Sequence, residues 1–156
     1  MSASRLTRFG ADVDARAALR RRRRNLPERI ALVAIELVVA LGAVYGGLSL
    51  LADPDELGVD HAWLDGSVFP DYTIPGLMLL VVIGGGMLIA AAVAVWAPRK
   101  AGLAAEVMAA ALLVWGTVET FTIGWRGTTQ LVLIATFVVA PAIALVFLGR
   151  RLEDRR

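Results

Sequence analysis

The sequence predicts an all-α polytopic membrane protein, a four-transmembrane-helix antiparallel bundle preceded by a basic amphipathic N-terminal arm. Three observations predict it. Four apolar stretches cover about residues 30–52, 74–96, 102–123 and 128–148, each near or above the roughly 20 residues that cross a hydrocarbon core as a helix. The chain has 156 residues and is 58% hydrophobic, so little remains for a soluble domain once those stretches are set aside. The third is charge. If all four stretches cross, the segments before the first, between the second and third, and after the fourth hold nine, two and four basic residues, and the opposite side holds only Arg126. The positive-inside rule then places both termini in the cytoplasm.

The organisation that follows is a basic cytoplasmic arm (1–29), a transmembrane domain (30–148) with an outer loop (53–73), and a basic cytoplasmic tail (149–156). The arm is too small and too charged to bury a core. Leu6, Phe9, Val13 and Ala17 recur at helical spacing among arginines, which fits a helix lying on the inner leaflet. Arg20, Arg21, Arg22, Arg23 and Arg24 follow as an unbroken run. It reads as an anchor that fixes topology, or as a site for anionic lipid head groups. It lacks interleaved aromatics, and no nucleic-acid partner is expected. The first apolar stretch is too long for a cleaved leader and reads as a retained signal-anchor.

Composition excludes several chemistries. There is no Cys, hence no thiol redox chemistry and no thiolate metal site. The single His, His61, lies in the outer loop, so neither a bis-His haem between helices nor a nucleophilic triad can be assembled. No catalytic residue, metal or cofactor is expected.

In the first helix, Glu36, Ala40, Ala43 and Gly47 step by four, three and four along one stripe, with the Gly42–Gly46 pair beside it. Small residues let helix backbones approach closely in lipid, so Glu36 should face other helices. Tyr45 stands about 180° away. The outer loop contains six carboxylates and no basic residue. It reads as a solvated acidic face, and it lacks the spaced ligands of a calcium loop. Trp63, Phe69 and Tyr72 suit an interfacial aromatic belt. Asp71 or Thr73 should cap the second helix, with Pro75 in its first turn.

Gly84, Gly85 and Gly86 sit near the middle of the second helix, where close contact with a neighbour, or a hinge, would explain their cost in helix propensity. Pro98 should end that helix, and Arg99-Lys100 should mark a tight turn to an antiparallel third helix. The third helix carries Glu106 and Glu119, about 20 Å apart along the axis and about 140° apart around it. Glu119 shares a face with Trp115 and Thr122 and points toward Arg126, a natural ion-pair partner. Glu36 and Glu106 lie at similar depth, about 9 Å and 6 Å from the inner boundary. Gly102, Glu106 and Ala109 form a second small-residue stripe, and if the two stripes face each other Glu36 and Glu106 become neighbours sharing one proton, a proton-relay arrangement; the alternative is snorkelling toward Arg29, Arg99 or Lys100. Pro141 should kink the fourth helix by removing the bond to the Phe137 carbonyl.

The segment Phe69-Pro70-Asp71-Tyr72-Thr73-Ile74-Pro75-Gly76 resembles one found in small bacterial four-helix membrane proteins of unassigned function. The portion from Trp115 to Glu119, followed by a short outer turn, is also similar. The resemblance implies an integral membrane bundle and brings no activity with it. The function expected is a non-enzymatic accessory or scaffold protein that packs against itself or a larger membrane complex. The alternative is a small proton-coupled transporter using Glu36 with Glu106 or Glu119.

Overall fold

The computed structural model describes residues 26–123 and 134–154. The N-terminal arm, with Arg20 to Arg24, and the turn containing Arg126 lie outside the described residues. Among the described residues the chain is all-helical, with four helices and no strand.

Helix α1 is Leu26–Ala52. It begins with Pro27 in its first turn, where the missing N–H costs nothing, and its 27 residues reach about 40 Å. Helix α2 is Thr73–Trp96. The Asp71 side chain accepts from the Thr73 N–H at 2.8 Å, and Pro98 stops the helix just past Trp96. Helix α3 is Ala101–Ile123, entered through the short turn Pro98–Lys100. Helix α4 covers residues 135–154, beginning as a π-helical segment Ala135–Val139 and continuing as Ala140–Asp154. Helices α1 and α2, and the segment Pro98–Thr122, are long and apolar enough to cross a membrane. Residues 128–133 of the expected fourth stretch lie outside the described residues, and α4 runs on past Leu148 through most of the expected tail.

Two of the helices contain a π-helical stretch. That in α2 is Met78–Gly85, beyond Pro75, which sits in the first turn where its missing N–H costs nothing. Pro141 follows the π-helical Ala135–Val139. Proline removes one backbone donor and crowds the carbonyl four residues earlier, and a widened turn relieves that crowding without breaking the helix.

Helix α1 packs against α2 and α4, and α3 packs against the same two, so α1 faces α3 across one diagonal. The closest seams run through glycine. A Cβ added at Gly47 would stand 2.8 Å from the Leu80 nitrogen and 2.9 Å from the Gly76 oxygen, and one added at Gly149 would stand 3.1 Å from the Gly102 oxygen. The α1–α2 and α3–α4 seams are thus backbone-to-backbone, the approach that only residues without a side chain permit. The core between them is built from small and flexible side chains, including Ala90, Ala94, Ala105, Met87 and Leu145.

The outward surface is apolar. Leu41, Val81, Ile89, Leu103, Val114 and Ile143 are all more than half exposed, far more contiguous apolar surface than a protein bathed in water carries. The two ends differ in charge. Arg29, Arg99, Lys100, Arg150 and Arg151 all lie where α1 starts, α2 turns into α3 and α4 finishes. The acidic loop closes the opposite end.

Candidate functional site: an apolar cleft beneath the acidic loop

The loop between α1 and α2 folds by local side-chain bonds. Asp53 caps the short helix Pro54–Leu57 by accepting from the Asp55 N–H at 3.1 Å. Gly58, at φ 66°, closes that turn in the left-handed region, where glycine is unstrained. Asp60 caps His61–Leu64 by accepting from the Ala62 N–H at 2.9 Å. Ser67 Oγ accepts from the Phe69 N–H at 3.1 Å. The Tyr72 hydroxyl then donates to the Asp60 carbonyl at 2.7 Å, which ties the loop to the start of α2. Tyr72 is buried, with 4% of its surface exposed. It is a strut between loop and helix, and not the interfacial anchor that its neighbours and spacing suggested.

Beneath this loop lies a cleft of about 200 Å³. Gly46 and Leu50 of α1 form one wall, and Tyr72, Pro75 and Leu79 of α2 form the second. Trp115, Val118, Glu119 and Thr122 of α3 form the third, with Val59, Leu64 and Phe69 of the loop as a roof. Gly46 leaves the space open: an added Cβ would come within 3.1 Å of Leu79 Cδ2. Trp115, Glu119 and Thr122 share a face because they stand one turn apart. Among the described residues no ion pair reaches the Glu119 carboxylate. The expected pairing with Arg126 falls outside them. Segments 69–76 and 115–119, far apart in sequence, both contribute walls to this one cleft.

The other two helix-borne carboxylates singled out by the sequence lie elsewhere. Glu36 is completely buried in the α1 stripe Leu32, Glu36, Ala40, Ala43 and Gly47. Among the described residues, neither of its carboxylate oxygens has a hydrogen-bond partner. Glu106 is on the diagonal helix α3, with its carboxylate 3.4 Å from Arg150 Nε of α4. The two stripes therefore do not bring Glu36 and Glu106 together as a shared-proton pair. The cation that Glu106 meets is Arg150, not Arg99 or Lys100, because the tight α3–α4 seam sets that register. Arg29 instead donates to the Val95 carbonyl near the end of α2, where a cation complements the helix dipole. Arg151 lies over the Phe147 ring at 4.2 Å.

The glycines also divide. Gly84 meets Val44 of α1, with a Cβ contact of 2.9 Å to its Cγ2, and Gly86 meets the Met108 side chain of α3 at 2.8 Å. Gly85 faces no neighbouring helix, its nearest contact being the Leu80 carbonyl of its own helix at 4.0 Å. Gly42 has nothing within 4 Å and is exposed, one residue off the buried stripe and so turned about 100° from it. Its partner in the GxxxG pair, Gly46, opens the cleft. Gly76, Gly116 and Gly149 carry seam contacts that sequence spacing alone did not mark.

A second, shallower groove of about 390 Å³ runs between α1 and α4. Ala34 and Val38 line one side of it, and Ala140, Pro141 and Ala144 the other. Among the described residues no group of His, Asp or Glu side chains could hold a metal ion. No protein-family model, curated protein or solved structure matches the chain.

Proposed function

We propose that the chain is a non-enzymatic accessory protein of the bacterial inner membrane, spanning it four times with both termini in the cytoplasm, and that it docks against a helix of a larger membrane partner. The observation that carries the docking is the groove between α1 and α4, in which Ala34, Ala140 and Ala144 leave room beside Ile35, Val38, Val39 and Pro141. Gly42 lies one turn along the same α1 face as Val38, exposed and with no neighbour within 4 Å. Small residues on an outward helix face allow another backbone to approach closely, which is how helices associate where lipid removes the hydrophobic drive. The apolar girdle and the basic end support insertion with that end inward. The five-arginine run adds attraction to the anionic inner leaflet, at about 1 kcal/mol per residue.

Native mass spectrometry of the protein gently extracted from its own membrane tests this reading. A heterologous partner at fixed stoichiometry, lost in an Ala34→Phe variant that fills the groove, is the expected result. A lone monomer or a homo-oligomer indifferent to that substitution would refute heterologous docking.

A second reading has its own support, the burial of Glu36 without a partner for either oxygen. An ionised carboxylate alone in a dry interior is costly, and intramembrane carboxylates commonly take part in proton movement. On this reading the protein is a small proton-coupled transporter. Proton-driven uptake or efflux by reconstituted protein that survives Glu36→Gln would remove Glu36 from the mechanism.

A further inference from the structure

We infer that the cleft beneath the acidic loop is a binding site for an amphiphilic organic cation, a substituted ammonium attached to an aromatic or branched apolar body. The inference is independent of the accessory reading, since the cleft and the α1–α4 groove share no residue.

Four features select that chemistry. First, the volume is about 200 Å³, whereas a cavity of about 150 Å³ accommodates one benzene ring. A ring with a small head group fits; a phospholipid does not fit whole. Second, the walls are aliphatic and aromatic, and the only carboxylate among the lining residues is Glu119. Phe69 and Trp115 are among the lining residues, and aromatic rings attract cations through their quadrupoles. Third, polar recognition is almost confined to Glu119 and Thr122. The Tyr72 hydroxyl already donates to the Asp60 carbonyl, and Ser67 is bonded within the loop. An anion would meet Glu119 with no cation among the described lining residues to offset it, and a neutral polar ligand would find few partners there. Fourth, the loop carries exposed Asp53, Asp55, Asp65 and Asp71 and no basic residue. Such a field concentrates cations at the mouth.

Glu119 is the charge partner and Trp115, one turn earlier on the same face, is the stacking surface. Tyr72 is a positioning residue, since its bond to Asp60 holds the roof over the cavity without requiring contact with the ligand.

Isothermal titration of the full chain in neutral maltoside micelles tests the site, with benzyltrimethylammonium as probe. Benzenesulfonate serves as the anionic comparison and benzyl alcohol as the neutral one. The expected result is one saturable site for the cation and none for the anion. Glu119→Gln should weaken the cation by about tenfold or more, as loss of a charged contact in a poorly hydrated site does. Trp115→Leu should weaken it by several-fold, about the size of a cation–π contact. Benzyl alcohol should be insensitive to Glu119→Gln, which separates recognition of charge from filling of the cavity. If Glu119→Gln does not fold, Glu119→Asp keeps the charge but withdraws it by one methylene, and a measurable loss is still required. Absence of saturable binding, equal affinity for benzenesulfonate, or cation binding unchanged by both Glu119 variants would overturn the proposal. Binding that appears only in an Arg126→Gln variant would overturn it too, by assigning Glu119 to an internal ion pair.

Discussion

Replacing Gly47 and Gly42 by alanine, one at a time, should move stability in opposite directions although both lie in α1. Alanine gains up to about 1 kcal/mol over glycine in a helix interior from propensity alone. At Gly42 nothing lies within 4 Å of the new methyl, so that gain is realised and the variant should be more stable by about 0.5–1 kcal/mol. At Gly47 the methyl would stand 2.8 Å from the Leu80 nitrogen, 2.9 Å from the Gly76 oxygen and 2.9 Å from Leu80 Cβ. Two of these are backbone atoms of a packed helix and cannot swing aside. Ordinary carbon contacts begin near 3.5 Å, so α1 and α2 would have to separate by about half an ångström along the seam. Overpacking of that kind costs about 1–3 kcal/mol. Because the obstacle is backbone, the upper end applies, and after the propensity gain a net loss of about 2 kcal/mol remains. That is about a thirtyfold change in the folding equilibrium. Unfolding by increasing mole fraction of sodium dodecyl sulfate in maltoside micelles, followed by circular dichroism, measures both variants against the parent. Equal effects, or a stabilised Gly47→Ala, would show that α1 and α2 do not meet through Gly47 and Gly76.

The same assay bears on Glu36. Glu36→Met removes a buried polar group whose oxygens have no partner and should stabilise the fold by about 1–3 kcal/mol; destabilisation would mean that the carboxyl has a structural partner in the membrane. Tyr72→Phe removes the 2.7 Å bond to the Asp60 carbonyl and should cost about 0.5–1.5 kcal/mol, with faster amide exchange confined to the loop; unchanged exchange at residues 59–69 would mean that the bond does not hold the roof. Arg150→Gln breaks the pair with Glu106, but Arg150 is 71% exposed, so the change should stay under about 1 kcal/mol, and a larger loss would identify that end as dry. Because the chain has no Cys, single cysteines report topology cleanly. Ser67→Cys should react with an impermeant maleimide on intact cells, and Lys100→Cys only after permeabilisation; the reverse pattern would invert the proposed orientation.

The helices were legible because what makes them is local. Apolar length, Pro27 and Pro75 in first turns, and Pro98 after Trp96 act within a few residues, so the described helix limits fall close to the apolar stretches. The burial of Glu36 was legible for a similar reason. Residues 36, 40, 43 and 47 repeat at the helical period, and a stripe of small residues in an otherwise bulky helix has to face something. Rotation and register between helices were not legible. Gly42 and Gly46 satisfy the same spacing rule, yet Gly42 looks outward while Gly46 opens a cleft, a difference set by how α1 turns against α2. Glu106 meets Arg150 only because Gly149 and Gly102 set the depth of α4 against α3. Neither fact is written within a single helix.

The cleft shows the same limit in the opposite direction. Trp115, Glu119 and Thr122 could be put on one face from spacing alone, and the natural continuation of that face in sequence is Arg126. What spacing could not supply is the roof, which depends on Asp60 capping one short turn while its carbonyl receives the Tyr72 hydroxyl. Those bonds fold an acidic loop, otherwise fit only to be solvated, over the wall of a helix nearly fifty residues later in the chain. Asp53, Asp55, Asp60, Asp65 and Asp71 are exposed while Val59, Leu64 and Phe69 line the cleft. One segment therefore supplies both the apolar lid of the cavity and the negative field at its mouth. A loop needed only as a charged cap on the bundle would require the charge alone; the inward apolar residues and the Tyr72 strut are what make this loop the roof of the cleft.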